Sequence, residues 1–482
     1  MAGVWLDHAA TPETPARGAG AATDGAPAHA GATWRTGRPA ASAPDGAIAS
    51  LDGVRAIACL TVMGYHINLA TSRSHIWPRG ALPLVSAVLL SGGAGVTLFF
   101  VLSGFLLFLP FARALLCARA WPATGLFYLR RALRILPAYY VSLVLLVAFT
   151  QPQYWQPRRW GDLLLFVALL QDSTPSTFRA INGPYWTLSI EWQFYLLLPL
   201  LAWGVGLVAR RVRPARRLPV VAGCLVGLAG WGVLSRWFGD YFAAHPTATL
   251  LVPRPALNVA LWLTYGSAGK YLEDFAVGML VCVVYVAVRA PAGASAPGAA
   301  GAHARRARRL GPWLWGAGLS LLLAMALWIY ALTYHYTWPV LGALFPSNGT
   351  LNELGFALGY GCCVLAVLLG GGRAARLLAR APLRGLGHVS YSLYIWHLPV
   401  LGFFMGHVLP AFGTLPPAAT YALYWLWALA VIIPFAAASY WLVERPGMRW
   451  SDRLRARWRA RRADAREGVA PARVAERAAP AS

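Results

Sequence analysis

Arg55 and His66 stand eleven positions apart in one apolar run. Eleven steps of about 100° put them on nearly the same face of a helix, about 16 Å apart along its axis. An imidazole titrates near neutrality and is a natural general base for taking a proton from a hydroxyl. In a bilayer an ionisable side chain is costly, which makes each residue a functional candidate. The bland readings are a snorkelling anchor for Arg55 and an interhelical hydrogen-bond donor for His66. Arg131 and Arg134 are three positions apart and so share a helical face, whereas Arg130 points elsewhere. Two guanidiniums so placed suit bidentate capture of phosphate; a basic inner loop explains arginines in general but not the shared face. Glu191 sits among Trp186, Trp192, Phe194 and Tyr195, where a buried carboxylate must be paired, protonated or functional. It either orients His66 or an acceptor, or makes a structural hydrogen bond. Ser390, Tyr394 and His397 follow i, i+4, i+7 spacing, a polar stripe that either meets substrate or glues helices together.

The elements that position these residues are membrane helices. Of the 482 residues 58% are hydrophobic and 12% charged, far from the usage of soluble domains. Apolar stretches of spanning length run over 54–70, 91–110, 133–150, 187–209, 218–238, 271–289, 312–334, 352–370, 385–408 and 419–443. The expected fold is therefore an all-α, polytopic transmembrane helical bundle of about ten spans in a bacterial inner or plasma membrane. Asp162–Leu170 is too short to cross and is expected in the interface or as a re-entrant segment. The formal charge of +25 comes from arginines in alternate loops: Arg113 to Arg134, Arg210 to Arg217, Arg305 to Arg309, Arg373 to Arg384, and the tail. By the positive-inside rule this places both termini in the cytoplasm, and it argues against nucleic acid as a partner. The six cysteines show neither metal-ligand nor disulfide spacing, and no metal site is expected. Residues 1–50, rich in Ala, Gly, Pro and Thr, read as a disordered cytoplasmic extension; 51–446 as the membrane domain; 447–482 as a basic cytoplasmic tail.

Six motifs in order carry a family resemblance. Leu51-Asp52-Gly53-Val54-Arg55 followed by His66 resembles the first span of the acyltransferase-3 family. Phe99-Phe100-Val101-Leu102-Ser103-Gly104-Phe105, Arg130 to Tyr140 with its Arg-x-x-Arg core, and Trp186-Thr187-Leu188-Ser189-Ile190-Glu191-Trp192-Gln193-Phe194-Tyr195 are similar to its next signatures. Ser390-Tyr391-Ser392-Leu393-Tyr394-Ile395-Trp396-His397 and Glu444-Arg445-Pro446 resemble its closing ones. The resemblance covers residues 51 to 446 and leaves out any appended hydrolase-like domain.

The resemblance implies a membrane O-acyltransferase that moves an acyl group, acetyl being the expected one, from cytoplasmic acyl-CoA to a hydroxyl of a cell-surface glycan, lipid-linked sugar or secreted metabolite. Acyl-CoA is then a donor substrate and no cofactor stays bound. Arg131 and Arg134 would hold its phosphates with Arg55 beside the acyl path, and His66 would act as base or itself be acylated. Ser390, Tyr394 and His397 would meet substrate. Ser103 and Gly104 read as close helix packing. Glu444-Arg445-Pro446 reads as a structural end to the last helix, with proline stopping it and an ion pair closing it. The outer segment Asp240–Lys270 is where acceptor choice is expected. A transporter or flippase of a glycan or related polar substrate is the alternative, and a receptor or scaffold a third class.

Overall fold

Fully apolar segments in a low-dielectric medium must satisfy their backbone internally, and the helix is the open-ended solution. The computed structural model describes residues 46–73, 83–117, 119–250, 252–289, 299–334, 348–370 and 372–458, and no strand occurs among them. Ten long helices organise them: α1 (Gly46–Arg73), α2 (Gly95–Leu116), α3 (Thr124–Phe149), α4 (Tyr185–Arg210), α5 (Arg217–Ala244), α6 (Leu272–Arg289), α7 (Ala299–Tyr334), α8 (Asn348–Gly370), α9 (Ala381–Phe403) and α10 (Pro417–Trp458). Each expected span falls on one of these helices or its direct continuation, to within one residue. Eight of the helices are long and apolar enough to cross a membrane. The other two are α1, which carries Asp52, Arg55, His66 and Asn68, and α6, which opens with the buried pair Glu273 and Asp274. These helices carry their polar residues into the protein interior.

Burial follows the inside-out logic of a bilayer. Phe149 (80% exposed), Leu200 (62%) and Leu442 (76%) face outward, as lipid-facing residues should, while Asn182, Glu273, His397 and Glu444 are buried. Two large apolar clusters fill the interior among the described residues. One is built on Phe105, Phe108, Phe194 and Phe275, the other on Val62, Ile67, Tyr139 and Ile395. Val96, Phe99, Trp192 and Tyr391 pack against both, so they mark the seam between them.

Close helix approaches set the geometry of that seam. A Cβ on Gly387 of α9 would fall on the backbone of Asp52 in α1, and one on Gly104 of α2 would fall on the backbone of Phe275 in α6. Small residues at such crossings let the backbones touch, which is how membrane helices gain packing without a hydrophobic drive between them. Gly387→Val is therefore expected to push α9 off α1. Backbone cannot give way as a side chain end can, so the cost should reach or exceed the roughly 1–3 kcal/mol of ordinary overpacking. A lower thermal unfolding midpoint of the purified protein is the readout. Gly402→Val on the same helix, where a Cβ meets open space, is the control expected to leave the midpoint unchanged.

Three features differ from the expectation. Residues 46–50 already form the first turns of α1, because Gly46–Arg73 is one continuous helix; the rest of the proposed extension, 1–45, lies outside the described residues. Proline does not stop the last helix: α10 runs through Pro446 to Trp458, a π-turn at Tyr440–Glu444 widening the ladder just ahead of the ring. Nor is there an ion pair between Glu444 and Arg445, since Glu444 accepts from Ser392 and Arg445 lies over the Trp441 ring at 3.7 Å. The segment at Asp162–Leu170 forms a helix of 8 residues, Trp160–Val167, too short for a bilayer. The Tyr139 and Tyr140 hydroxyls donate to its Phe166 and Val167 carbonyls at 2.7 and 2.8 Å.

Candidate active site

The seam between the apolar clusters opens into two cavities stacked along the helices. The first, about 680 Å³ counting the open space at its mouth, is lined by Arg55, Arg131, Arg134, Ser103, Glu191, Tyr195, Ser390 and Tyr394, with Val96, Phe99 and Phe100 as apolar wall. The second, about 2030 Å³ out to its open mouth, is lined by Tyr65, His66, Arg179, Trp186, Tyr271, Glu353 and, again, Val96 and Tyr394. Three helices report the same order: Arg55 then His66 on α1, Ser103 then Thr97 on α2, Ser390 then Leu401 on α9. Val96 and Tyr394 are the shared wall.

The first cavity is a cationic chamber with one carboxylate. Helical spacing delivers Arg131 and Arg134 from one face of α3, and α1 adds Arg55. Glu191 on α4 accepts from Ser103 Oγ at 2.6 Å and from the Tyr195 hydroxyl, and the Arg131 guanidinium carbon lies 6.0 Å from the Tyr195 ring centre. Among the described residues Arg131 Nε is buried without a hydrogen-bond partner, and Arg134 Nη1 reaches the Met448 sulfur alone, at 3.7 Å. Three guanidiniums facing one carboxylate leave positive charge and free donors, the chemistry of an anion site.

In the second cavity the histidines form a directed chain. His397 Nδ1 lies 2.8 Å from the Tyr394 carbonyl and 3.3 Å from that of Leu393. A carbonyl only accepts, so Nδ1 carries the proton and Nε2 holds the lone pair in the neutral ring. His66 Nδ1 stands 3.2 Å from that Nε2 and 2.9 Å from the Val62 carbonyl, two acceptors, so it too is protonated. Hydrogen bonding thus assigns the lone pair of the His66 ring to Nε2, the arrangement a base or nucleophile requires. Burial of His397 (1% exposed) and its fixed carbonyl partners make it a rigid backstop.

Tyr394 closes the wall between the cavities. Thr187 Oγ1 gives its only proton to the Pro184 carbonyl at 2.9 Å, so in the 2.8 Å bond between Thr187 and Tyr394 the tyrosine hydroxyl donates.

The structure therefore gathers Arg55, Arg131, Arg134, Glu191, Ser390 and Tyr394 in one chamber and places His66 in the next, backed by His397. It does not join Glu191 to His66: Glu191 is spent on Ser103 and Tyr195 on the arginine side, and the residue that orients His66 is His397. Ser390 Oγ donates within its own helix, to Gly387, at 2.8 Å. Ser103 is more than packing, since its hydroxyl bonds Glu191. Sequence reasoning also passed over Arg179 and Glu353. The signal for Arg179 was a lone arginine seven residues before a Trp-rich span; nothing local marked Glu353.

Comparison with known proteins agrees with this architecture. The acyltransferase-3 family model, described as an acyltransferase domain, matches residues 48–444. A peptidoglycan O-acetyltransferase, OatA of Listeria monocytogenes, is 29% identical over 32% of the chain and 24% of its own length. The acyltransferase MdmB of Streptomyces mycarofaciens is 26% identical over 49% of the chain and 57% of its own length. YrhL of Bacillus subtilis, provisionally named a peptidoglycan O-acetyltransferase, is 25% identical over 83% of the chain and 54% of its own length. The chain thus spans little more than half, or less, of these relatives. No solved structure matches it.

Proposed function

Because this chain belongs to the acyltransferase-3 family, a multi-pass membrane family, we propose that it transfers an acyl group from acyl-CoA to a glycan hydroxyl through the two adjoining cavities. The observation that carries the reading is the cationic chamber, with its unpartnered Arg131 Nε, sharing a wall with the chamber of His66. Phosphates of the donor rest among Arg55, Arg131 and Arg134, on the cytoplasmic side by the loop charges, with both termini on that side. The pantetheine arm then leads the thioester past Tyr394 toward His66. The acceptor enters from the open mouth of the second cavity. His66 Nε2 takes the hydroxyl proton as the oxygen attacks the thioester carbon; the C–S bond breaks as the tetrahedral adduct collapses, and the proton passes to the departing thiolate. Both ring nitrogens of the transient imidazolium donate, and His397 Nε2 is in place to accept one of those bonds.

Glycan hydroxyls are the favoured acceptors on two grounds: the second cavity is lined with aromatic faces and polar groups suited to a polyol, and two of the relatives above are named for peptidoglycan O-acetylation. Purified protein given acetyl-CoA is expected to release free thiol only when a de-O-acetylated glycan is added, with the acetyl group recovered on that glycan. A transporter would release none, and an acyl-histidine route would leave label on His66 before any acceptor is present. Acceptor-independent silence, with no thiol under either condition, would overturn the reading.

A further inference from the structure

Among the charged side chains of the second cavity, Arg179 has no role in the transfer chemistry. Its guanidinium lies over the rings of Phe178 and Trp186, at 4.9 and 5.5 Å from their centres, and it forms none of the ion pairs found among the described residues. The carboxylate lining the same cavity, Glu353, accepts instead from Thr97 Oγ1 at 2.6 Å, so the cavity's own negative charge is not spent on Arg179.

Backbone strain marks the same place. Among the described residues three non-glycine positions adopt positive φ: Leu169 (53°), Arg179 (61°) and Tyr271 (53°). Two of the three, Arg179 and Tyr271, line this cavity. Such conformations cost free energy and persist where the surrounding structure enforces them, commonly at ligand sites. Here the enforcement is visible: Asn182 Nδ2 donates to the Ile395 carbonyl at 2.9 Å, tying the Arg179 segment to α9 two residues from His397. The Trp186 ring stands 5.3 Å from that of Tyr271, so Arg179 is held at the end of an aromatic wall with its donors free.

We propose that Arg179 is an acceptor-binding residue and that the acceptor is a sugar bearing a fixed negative charge, such as a carboxylate. The proposal rests on the acyl-transfer reading above and names the substrate class of its second cavity. A cation fixed by two aromatic faces, exposed at the rim and without an acidic partner among the described residues, supplies bidentate donors to an anionic substituent, while the edges of Trp186 and Tyr271 add apolar lining beside it. Charge on the sugar then fixes which hydroxyl reaches His66.

Calorimetric titration of the purified protein with a uronic-acid oligosaccharide and with its methyl ester tests the charge, because the ester removes it and adds a single methyl group. The acid is expected to bind about tenfold to a hundredfold more tightly, the range of a hydrogen bond to a charged group. Arg179→Ala should erase that difference by weakening the acid alone, and Arg179→Lys should restore part of it. Equal binding of acid and ester by the unaltered protein overturns the proposal, as does an Arg179→Ala variant that keeps the difference. If Arg179 serves instead to anchor a lipid headgroup, acid and ester bind alike and the substitution changes only the response to added anionic lipid, which also overturns it. Titration needs no turnover, so a failure of the transfer reading appears separately, as absence of thiol release.

Discussion

Replacing His66 by asparagine is expected to lower acyl transfer by roughly 10²–10⁴-fold, the usual contribution of a positioned general base, while acyl-CoA binding survives. Asparagine keeps a polar group for hydrogen bonding to the Val62 carbonyl but cannot take a proton at neutral pH. Loss of the base acts on the transition state, so it should appear in the chemical step and little in donor affinity. The donor chamber is formed by other residues, Arg55, Arg131 and Arg134, eleven positions up the same helix in the case of Arg55, which is why binding should be spared. His397→Gln is the companion test: glutamine retains an acceptor for His66 Nδ1 but not the imidazole held between two carbonyls, so an intermediate loss is expected. Single-turnover rates and donor titration of the purified variants decide the matter. Near-full turnover in His66→Asn would make the histidine a structural bridge to His397 and leave the base to be sought among the cavity's other groups.

Why His66 and His397 could each be named from sequence but not paired follows from the range of the signals. Periodicity and hydropathy are local, so the ten long helices, the shared face of Arg131 and Arg134, and the alignment of Arg55 with His66 were all readable along the chain. Contacts across hundreds of residues were not. His66 and His397 are separated by 331 positions, and only the α1 to α9 crossing at Gly387 brings them together. Glu191 could be recognised as a buried carboxylate in need of a partner, yet which partner depends on the rotation of α4 against α2, and that set Ser103 in its path. Proline at 446 was read by its ordinary effect on a helix; the π-turn ahead of it is a response of the whole helix that no local rule announces. Arg179 showed in the sequence only as a lone arginine ahead of a Trp-rich span; its interest lies in an unusual backbone conformation and an aromatic seat, neither of which composition encodes.

The arginine pair should give the second large effect. In Arg131→Ala/Arg134→Ala, acyl-CoA affinity is expected to fall by about 10²–10³-fold, since each guanidinium bonded to phosphate is worth roughly 1.5–3 kcal/mol and neighbouring losses do not add fully. Both side chains are partly exposed to the cavity and make few bonds within the protein, so folding should be little affected. Removal also leaves Arg55 alone against Glu191, so the chamber's charge falls to near balance and the carboxylate's repulsion of phosphate is no longer outweighed. Adding Glu191→Gln to the double variant should therefore recover part of the affinity, and the recovery measures that repulsion. A donor lacking the 3′-phosphate sharpens the assignment. The unaltered protein should bind it more weakly than acyl-CoA if the pair contacts that group, whereas the double variant should bind the two donors alike. High salt should weaken the unaltered protein toward the variant by screening. If the double variant binds acyl-CoA as tightly as the unaltered protein does, the pair serves topology alone, and Arg55 becomes the remaining cation able to hold the donor in that chamber.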